Sequence, residues 1–309
     1  MTMKKHDFIV FAFFFIPLIV CGQPLGSPLN MVFVQGGTLA LGCTNEQKNC
    51  ENDECPEREV NVSDFLINKY EVTQGQWKDV MDGNNPSICQ NCGDNCPVEQ
   101  ISWYQAAVFC NRLSERYGFR PCYYQNPSFS RVYGKNNNGS WPFEPVNSGP
   151  IYWDQTANGF RFPTEAEWEY AARGGNIALA QTRYCGSNNI DDVGWYYTNS
   201  TNPSYFSPIL GGRGTRPVGM KAPNALGLYD MSGNVWEFCY DFYVNPCNVA
   251  QTCNPANDSP SGNRTARGGA ISAFLDNMRI SNRSDNAGGG LVPTEYILKL
   301  VGIRLVRTP

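Results

Sequence analysis

The stretch GLYDMSGNVWEF, residues 227–238, is the most informative part of this chain of 309 residues. Two carboxylates, Asp230 and Glu237, flank the tripeptide Ser232-Gly233-Asn234, which is typical of turns because these residues tolerate positive φ angles. Such a loop can direct side-chain and backbone oxygens to one point, which is the arrangement that Ca²⁺ requires. The spacing alone leaves two alternatives open, a cation-binding loop and an ordinary turn whose carboxylates are solvated.

Three short helices are predicted from polar residues that stand before apolar positions at helical spacing. The predicted N-caps are Thr73, Ser102 and Thr164. The second helix should end near Gly118 and the third near Gly174, because glycine commonly follows the last helical turn. The third is the clearest, since TEAE at residues 164–167 has the pattern of a capping box.

The segments between these helices contain short apolar runs, which predict strands at residues 31–34, 60–67 and 300–306. The chain has 30 glycines and 21 prolines, which interrupt regular structure often. The sequence therefore predicts one α+β domain with few helices and much irregular backbone.

The first 22 residues have the features of a secretory signal peptide. Lys4 and Lys5 precede an apolar run over residues 8–20, which is shorter than the roughly 20 residues that span a bilayer. We expect residues 1–22 to be removed and residues 23–309 to form a secreted, periplasmic or cell-surface domain with no transmembrane segment. The alternative is a lipoprotein anchored at Cys21, because LIVC at residues 18–21 is a loose lipobox.

The cysteine content agrees with export. The chain has 13 cysteines, and loss of Cys21 would leave an even number, which in an oxidising compartment indicates disulfides. The local spacing predicts the pairs Cys110–Cys122 and Cys247–Cys253. The competing interpretation is a zinc site in the CQNCGDNC segment at residues 89–96, which would need a fourth ligand.

The single histidine, His6, lies in the segment that we expect to be removed. The mature chain would then have no histidine, which excludes a Ser-His or Cys-His nucleophile and any histidine-ligated metal. The net charge of −4, with no basic run, also makes nucleic acid and anionic membrane surfaces improbable partners.

The 227–238 stretch closely resembles the signature of the formylglycine-generating enzyme (sulfatase-modifying factor) family. The resemblance extends along nearly the whole mature chain and implies the family's irregular, C-type-lectin-like α+β architecture, rich in disulfides. Its further motifs, in chain order, are MVFVQGG at 31–37, YEVTQGQW at 70–77, PVEQISW at 97–103, FRFPTEAEWEYAARGG at 160–175, RPVG at 216–219, RGG at 267–269 and GIR at 302–304.

The resemblance implies a structural Ca²⁺ site in the 227–238 stretch. The matching ligands would be the carboxylates of Asp230 and Glu237 and the carbonyls of Gly233 and Val235. Trp236 matches the tryptophan that lines the family's active cleft.

The resemblance does not extend to the catalytic metal. A formylglycine-generating enzyme oxidises a substrate cysteine with O₂ and copper, and two cysteine thiolates bind the metal after the Arg-Gly-Gly turn. Ala273 and Met278 occupy the matching positions here, and a methyl and a thioether cannot replace a thiolate pair. We therefore expect neither copper nor the family's oxidase activity.

The sequence instead predicts a non-catalytic, Ca²⁺-stabilised binding or envelope-assembly module. Its partner would be a protein or a glycan at the cell exterior, as in the gliding lipoproteins and retroelement ligand-binding proteins that such folds resemble. Residues 270–286 would line the binding surface, with core packing as the alternative role for its apolar residues. The candidate contacts are Trp236, Ala273, Phe274, Leu275 and Met278.

An enzymatic alternative remains open at this point. A formylglycine-generating-type oxidase, or another metal-dependent oxidoreductase acting on a protein or small thiol, would need a different metal site. Asp276, Asp285 and Glu295 lie in the appropriate region of the sequence for a carboxylate-based site.

Overall fold

The computed structural model describes residues 30–142, 148–178, 180–205, 207–244, 252–258, 263–285 and 300–309. The expected signal peptide with Cys21, the glycine-rich run at 287–290 and Glu295 lie outside these ranges. Within them, no helix has both the length and the apolar character needed to cross a membrane.

The helices are short and begin at polar caps. Thr73, Ser102 and Thr164 each accept a hydrogen bond from the backbone of the first turn, and each belongs to a reciprocal capping box. The three predicted helices and their caps are therefore confirmed. The helices are α1 (Gln74–Val80), α2 (Trp103–Arg116), α3 (Glu165–Ala172) and α4 (Ile190–Val193).

The strands are also short, and they form several small sheets instead of one large one. A three-stranded sheet has the order β1-β4-β13, and a four-stranded sheet has the order β11-β10-β9-β12. Three strand pairs, β2-β3, β5-β6 and β7-β8, complete the described sheets. The strands are β1 (Met31–Val34), β2 (Gly37–Leu41), β3 (Arg58–Val62), β4 (Phe65–Asn68), β5 (Tyr123–Tyr124), β6 (Tyr152–Trp153), β7 (Gly194–Trp195), β8 (Ser232–Gly233), β9 (Trp236–Phe242), β10 (Arg264–Arg267), β11 (Arg283–Ser284), β12 (Val301–Gly302) and β13 (Val306–Arg307).

Two of the predicted strands are each divided in the structure. The run at 60–67 becomes β3 and β4, because β3 pairs with β2 whereas β4 pairs with β1 and β13. Between them the Asp64 carboxylate accepts a hydrogen bond from Gly36 N at 2.7 Å, which fixes the turn. The run at 300–306 likewise becomes β12, which joins β9, and β13, which joins β4.

The apolar core has two main parts. The first surrounds α2, where Trp103 stacks on Phe162 with ring centroids 4.5 Å apart and Trp77 stacks on Phe109 at 4.9 Å. The second joins α3 to the strands β2, β3 and β4. These features confirm an irregular α+β domain.

The structure contains disulfides, as the cysteine content predicted, but not between the cysteines that were predicted to pair. Disulfides join Cys43 to Cys50 and Cys92 to Cys96. The predicted pair Cys110–Cys122 is wrong, because both side chains are buried as separate thiols. A disulfide requires the two Cβ atoms to face each other, which sequence spacing cannot reveal.

The zinc interpretation of residues 89–96 is also wrong. Cys92 and Cys96 are bonded to each other, so they offer no thiolates, and burial raises the pKa of the Cys89 thiol to about 11. The pair Cys247–Cys253 stays a prediction, since Cys247 lies outside the described residues.

Candidate functional site: a buried carboxylate cluster and an exposed aromatic patch

The 227–238 loop has the left-handed backbone conformations that its composition predicts. The φ angles are 57° at Asp230, 99° at Gly233 and 60° at Asn234. A Cβ atom added to Gly233 would lie 2.2 Å from the carbonyl oxygen of Trp195, so only glycine fits there. The loop is therefore packed tightly against β7 and leads directly into β9.

Glu237 is fully buried in a salt bridge. Its Oε1 accepts a hydrogen bond from Arg304 Nη2 at 2.6 Å, and its Oε2 accepts one from Trp168 Nε1 at 2.7 Å. Arg304 Nε lies 3.0 Å from Oε2 and adds a second contact. Glu237 thus joins β9, α3 and the C-terminal segment, and it is not the solvated carboxylate of an ordinary turn.

Asp230 is also buried, but only one of its oxygens is satisfied. Oδ2 accepts a hydrogen bond from Gly219 N at 2.7 Å. Oδ1 has no hydrogen-bond partner among the residues described. Burial raises the pKa of Asp230 to about 6, because the charged form loses its hydration.

Glu71 is a third buried carboxylate at this site, and sequence analysis did not identify it. Its Oε2 accepts a hydrogen bond from Asn234 Nδ2 at 2.7 Å and its Oε1 accepts one from Val235 N at 3.1 Å. Burial, and then the negative charges of Asp230 and Glu237, raise the pKa of Glu71 well above its usual range. Glu71 was missed because it and the loop that it contacts are distant in the chain, so no local pattern links them.

With all three carboxylates ionised, the cluster would carry more negative than positive charge. Within the described part of the chain, Arg304 is the one cation that forms an ion pair with any of the three carboxylates. Buried charge without compensation is unfavourable, so the cluster requires a proton or a further cation. The unpartnered Asp230 Oδ1 is a hard oxygen donor of the kind that Ca²⁺ prefers, whereas Arg304 and Trp168 already engage both oxygens of Glu237.

The candidate contacts near the family's cleft divide into buried and exposed residues. Trp236, Ala273 and Met278 are at most 3% exposed, and Ala273 and Met278 belong to a small apolar cluster beneath the surface. Met278 fills the space beside an Arg-Gly-Gly glycine, since a Cβ on Gly269 would lie 2.3 Å from Met278 Cε. These three side chains pack in the interior.

Phe274 and Leu275 are exposed, by 47% and 44%. The Phe274 ring lies beside that of Tyr197, with centroids 4.7 Å apart, and the Arg213 guanidinium covers Tyr197 at 3.5 Å from its centroid. We call Tyr197, Arg213, Phe274 and Leu275 the Phe274 patch. Sequence analysis found two of its four members, because Tyr197 and Arg213 reach it from loops distant in sequence.

The carboxylates proposed for an alternative metal site do not form one in the described chain. Asp276 forms a salt bridge with Arg183 at 2.6 Å, and Glu295 lies outside the described residues. Among the residues described, one group of three acidic, histidine or cysteine side chains has its donor atoms within 4.8 Å of one another. That group is Cys43, Cys50 and Cys55, in which the first two form a disulfide.

The chain belongs to the sulfatase-modifying factor family. Residues 21–309 match the family described as a sulfatase-modifying factor enzyme 1-like domain, which confirms the resemblance predicted from the motifs.

Known proteins similar to this chain carry different names. The chaperone protein LppX of Paenibacillus barcinonensis is 36% identical over 287 residues, covering 90% of this chain and 89% of that protein. The formylglycine-generating enzyme of Thermomonospora curvata is 28% identical over 282 residues, covering 83% of this chain and 88% of the enzyme. The solved structure of Treponema denticola variable protein 1 has a TM-score of 0.67 at 29% identity and covers 90% of this chain and 95% of that protein.

Proposed function

We propose that this protein is a non-catalytic, exported member of its family that binds unfolded or unassembled protein partners as a chaperone-like assembly module. The observation that carries the proposal is the pair Ala273 and Met278. They stand where the family resemblance places the copper-binding cysteines, and both are packed in an apolar cluster. The sequence has no cysteine after Cys253 that could replace them.

The names of the similar proteins support an assembly role. The relative named as a chaperone is 36% identical to this chain, whereas the formylglycine-generating enzyme of Thermomonospora curvata is 28% identical. A protein with this family's domain can therefore carry the name of a chaperone. The 270–278 segment, which lacks the cysteine pair, agrees with a chaperone role for this protein.

The Phe274 patch is the surface that we assign to the partner. It combines two aromatic rings, an arginine and an exposed leucine, and aromatic residues and arginine are enriched where protein interfaces gain most of their binding energy. The contacts of Tyr197 with the Phe274 ring and the Arg213 guanidinium hold these side chains in place before a partner binds, which reduces the entropy lost on binding.

Ca²⁺ is the second part of the proposal. Asp230, with the carbonyls of Gly233 and Val235, would hold the ion, while Glu71 and Glu237 would balance its charge. The bound ion would satisfy the buried Asp230 Oδ1 and stabilise a loop on which β9 and the C-terminal segment depend.

The chaperone function can be tested with the aggregation of insulin B chain after reduction of insulin, followed by light scattering. We expect the wild-type protein to suppress aggregation. The double variant Phe274→Ala with Leu275→Ala should need at least about fivefold more protein for the same effect, as loss of roughly 1 kcal/mol of binding free energy implies. Phe33→Ala, which removes an exposed phenylalanine from β1, is the matched control and should behave as wild type.

Suppression that is equally strong in the double variant would show that the Phe274 patch is not the binding surface. Absence of suppression by the wild type would contradict the chaperone role. O₂ consumption on addition of copper and a cysteine-containing sulfatase-type peptide would support the oxidase instead, and we expect none.

A further inference from the structure

A second concave surface lies away from the Phe274 patch and has no role in the proposed chaperone function. It is a cavity of about 500 Å³ beside β6, β9 and the start of β10, within the size range of small-ligand sites. Six aromatic side chains line it: Tyr104, Phe129, Tyr152, Trp153, Tyr240 and Phe242. We call this cavity the aromatic cleft.

The aromatic cleft has both a fixed floor and an accessible rim. Trp153 packs on Tyr240 with ring centroids 4.6 Å apart, and Tyr240 is almost completely buried. Phe129 and Tyr152 are 40% and 38% exposed, so their rings are available to a ligand from solvent. A rigid aromatic floor with exposed rings at its edge presents several flat apolar faces to one ligand.

The cleft also contains a cation that forms no salt bridge, although the acidic residue Asp258 lines the same cavity. Arg264 lies with its guanidinium carbon 3.6 Å from the Phe242 ring centroid and 3.8 Å from that of Trp103. It donates a hydrogen bond to the Tyr240 carbonyl, and it forms no ion pair with any residue that the structure describes. A guanidinium held between rings and free of a salt bridge can pair with a negatively charged group of a ligand.

A polar cavity of about 530 Å³ continues the cleft, since Gly149 and Pro150 line both. Its wall includes the amides of Gln125, Asn126 and Asn136 and the guanidinium of Arg131. Arg131 is exposed and donates a hydrogen bond to Asn137 Oδ1 at 2.6 Å, with no ion pair among the described residues. The combined surface is therefore aromatic at one end, where Arg264 and Asp258 both line the wall, and rich in amides and basic residues at the other.

We propose that the aromatic cleft and the polar cavity together bind an acidic oligosaccharide. The C–H faces of sugar rings pack on the faces of aromatic side chains, whose π electrons attract the positively polarised hydrogens. Sugar hydroxyls exchange hydrogen bonds with the side-chain amides. Carboxylates on the sugars pair with Arg264 and Arg131. A neutral glycan has no negative charge to pair with these two side chains.

The test compares hexagalacturonate with its fully methyl-esterified form by isothermal titration calorimetry on the full exported chain. The two probes share their sugar rings and differ in charge. We expect the acid to bind at least about tenfold more tightly than the ester, which is a difference of about 1.4 kcal/mol. Equal binding of both probes, or no binding of the acid, would overturn the proposal.

Two kinds of variant test the basic and the aromatic residues of this surface separately. Arg131→Gln, at an exposed position where folding is not at risk, should reduce the preference for the acid at least about threefold. Phe129→Ala with Tyr152→Ala should weaken binding of both probes by about tenfold. Phe33→Ala is the control and should change neither affinity.

Two further results would contradict the proposal. One is retention of the full preference in Arg131→Gln together with unchanged affinity in the Phe129 and Tyr152 double variant. The other is tighter binding of hexaglutamate than of hexagalacturonate, which would indicate an acidic peptide. The aggregation assay should be unaffected by these variants, so the failure of either proposal leaves the other standing.

Discussion

Several carboxylates of this protein are buried, and Glu99 is the one with the simplest surroundings. Its side chain is completely buried. Oε1 accepts a hydrogen bond from Cys89 N at 2.7 Å, and Oε2 has no partner among the described residues. Burial raises the pKa of Glu99 to about 7, because the carboxylate is poorly solvated there.

The raised pKa of Glu99 makes the stability of the protein depend on pH. Below the unfolded-state pKa of about 4.3 the side chain is protonated in both states, and no penalty arises. Between there and about pH 7 the unfolded state loses the proton more readily, so the free energy of unfolding falls as pH rises. The total loss from this group should be about 4 kcal/mol, since the folded-state and unfolded-state pKa values differ by almost three units and one unit corresponds to about 1.4 kcal/mol.

Glu99→Gln should remove this pH dependence. Gln can keep the bond from Cys89 N and carries no charge, so the variant should equal or exceed the wild type in stability at pH 8 and differ least from it near pH 4. Urea unfolding at both pH values measures the difference. Asp79→Asn, at an exposed carboxylate of α1, is the control; a constant gap between Glu99→Gln and wild type at all pH values would contradict the assignment.

At the scale of elements, the sequence predicted the features that are determined by residues close together in the chain. The caps at Thr73, Ser102 and Thr164 were found because their partners lie three residues further along the chain. The strand run at 60–67 was found as one element, since its apolar pattern continues through a turn that only the exchange of sheet partners reveals. Strand pairing between distant elements leaves no local pattern. The disulfides were mispredicted for another reason: the two bonds found span only seven and four residues, and spacing does not show which cysteine side chains face each other.

The cap of α3 should contribute measurably to stability. Thr164 accepts a hydrogen bond from Glu167 N at 3.1 Å, and its own N–H donates to Glu167 Oε2 at 2.8 Å. Thr164→Ala removes the first bond and should lower the free energy of unfolding by about 1 kcal/mol. Thermal unfolding with Thr198→Ala as an exposed control, expected within about 0.5 kcal/mol of wild type, checks this value. A cap variant that matches the control would show that α3 is held by packing alone.

At the scale of the whole molecule, buried arginines connect parts of the chain that are distant in sequence. Arg304 forms an ion pair with Glu237 of β9 and donates a hydrogen bond to the Tyr229 carbonyl. Arg279 forms an ion pair with Glu54, and Arg267 forms one with Glu169 of α3. Each ion pair lies in the interior, where removal of one partner leaves an uncompensated charge. The candidate site belongs to this network. The sequence located the 227–238 loop but could not show that Glu237 forms an ion pair with Arg304.

The network determines which variant can test for Ca²⁺. Glu237→Ala would leave Arg304 unpaired and should destabilise the protein by about 3–5 kcal/mol with or without the ion, so it does not discriminate. Asp230→Ala removes the carboxylate whose Oδ1 has no partner among the described residues.

Asp230→Ala should lower the melting temperature clearly in saturating Ca²⁺, because the ion stabilises only the folded state that binds it. In EGTA the same substitution should have a smaller effect, limited to the loss of the hydrogen bond from Gly219 N and the strain of alanine at a φ angle of 57°. Differential scanning calorimetry of wild type and variant in both buffers gives the comparison. Equal losses in Ca²⁺ and in EGTA would mean that the excess charge of Glu71, Asp230 and Glu237 is balanced by protons, and that the loop holds no ion.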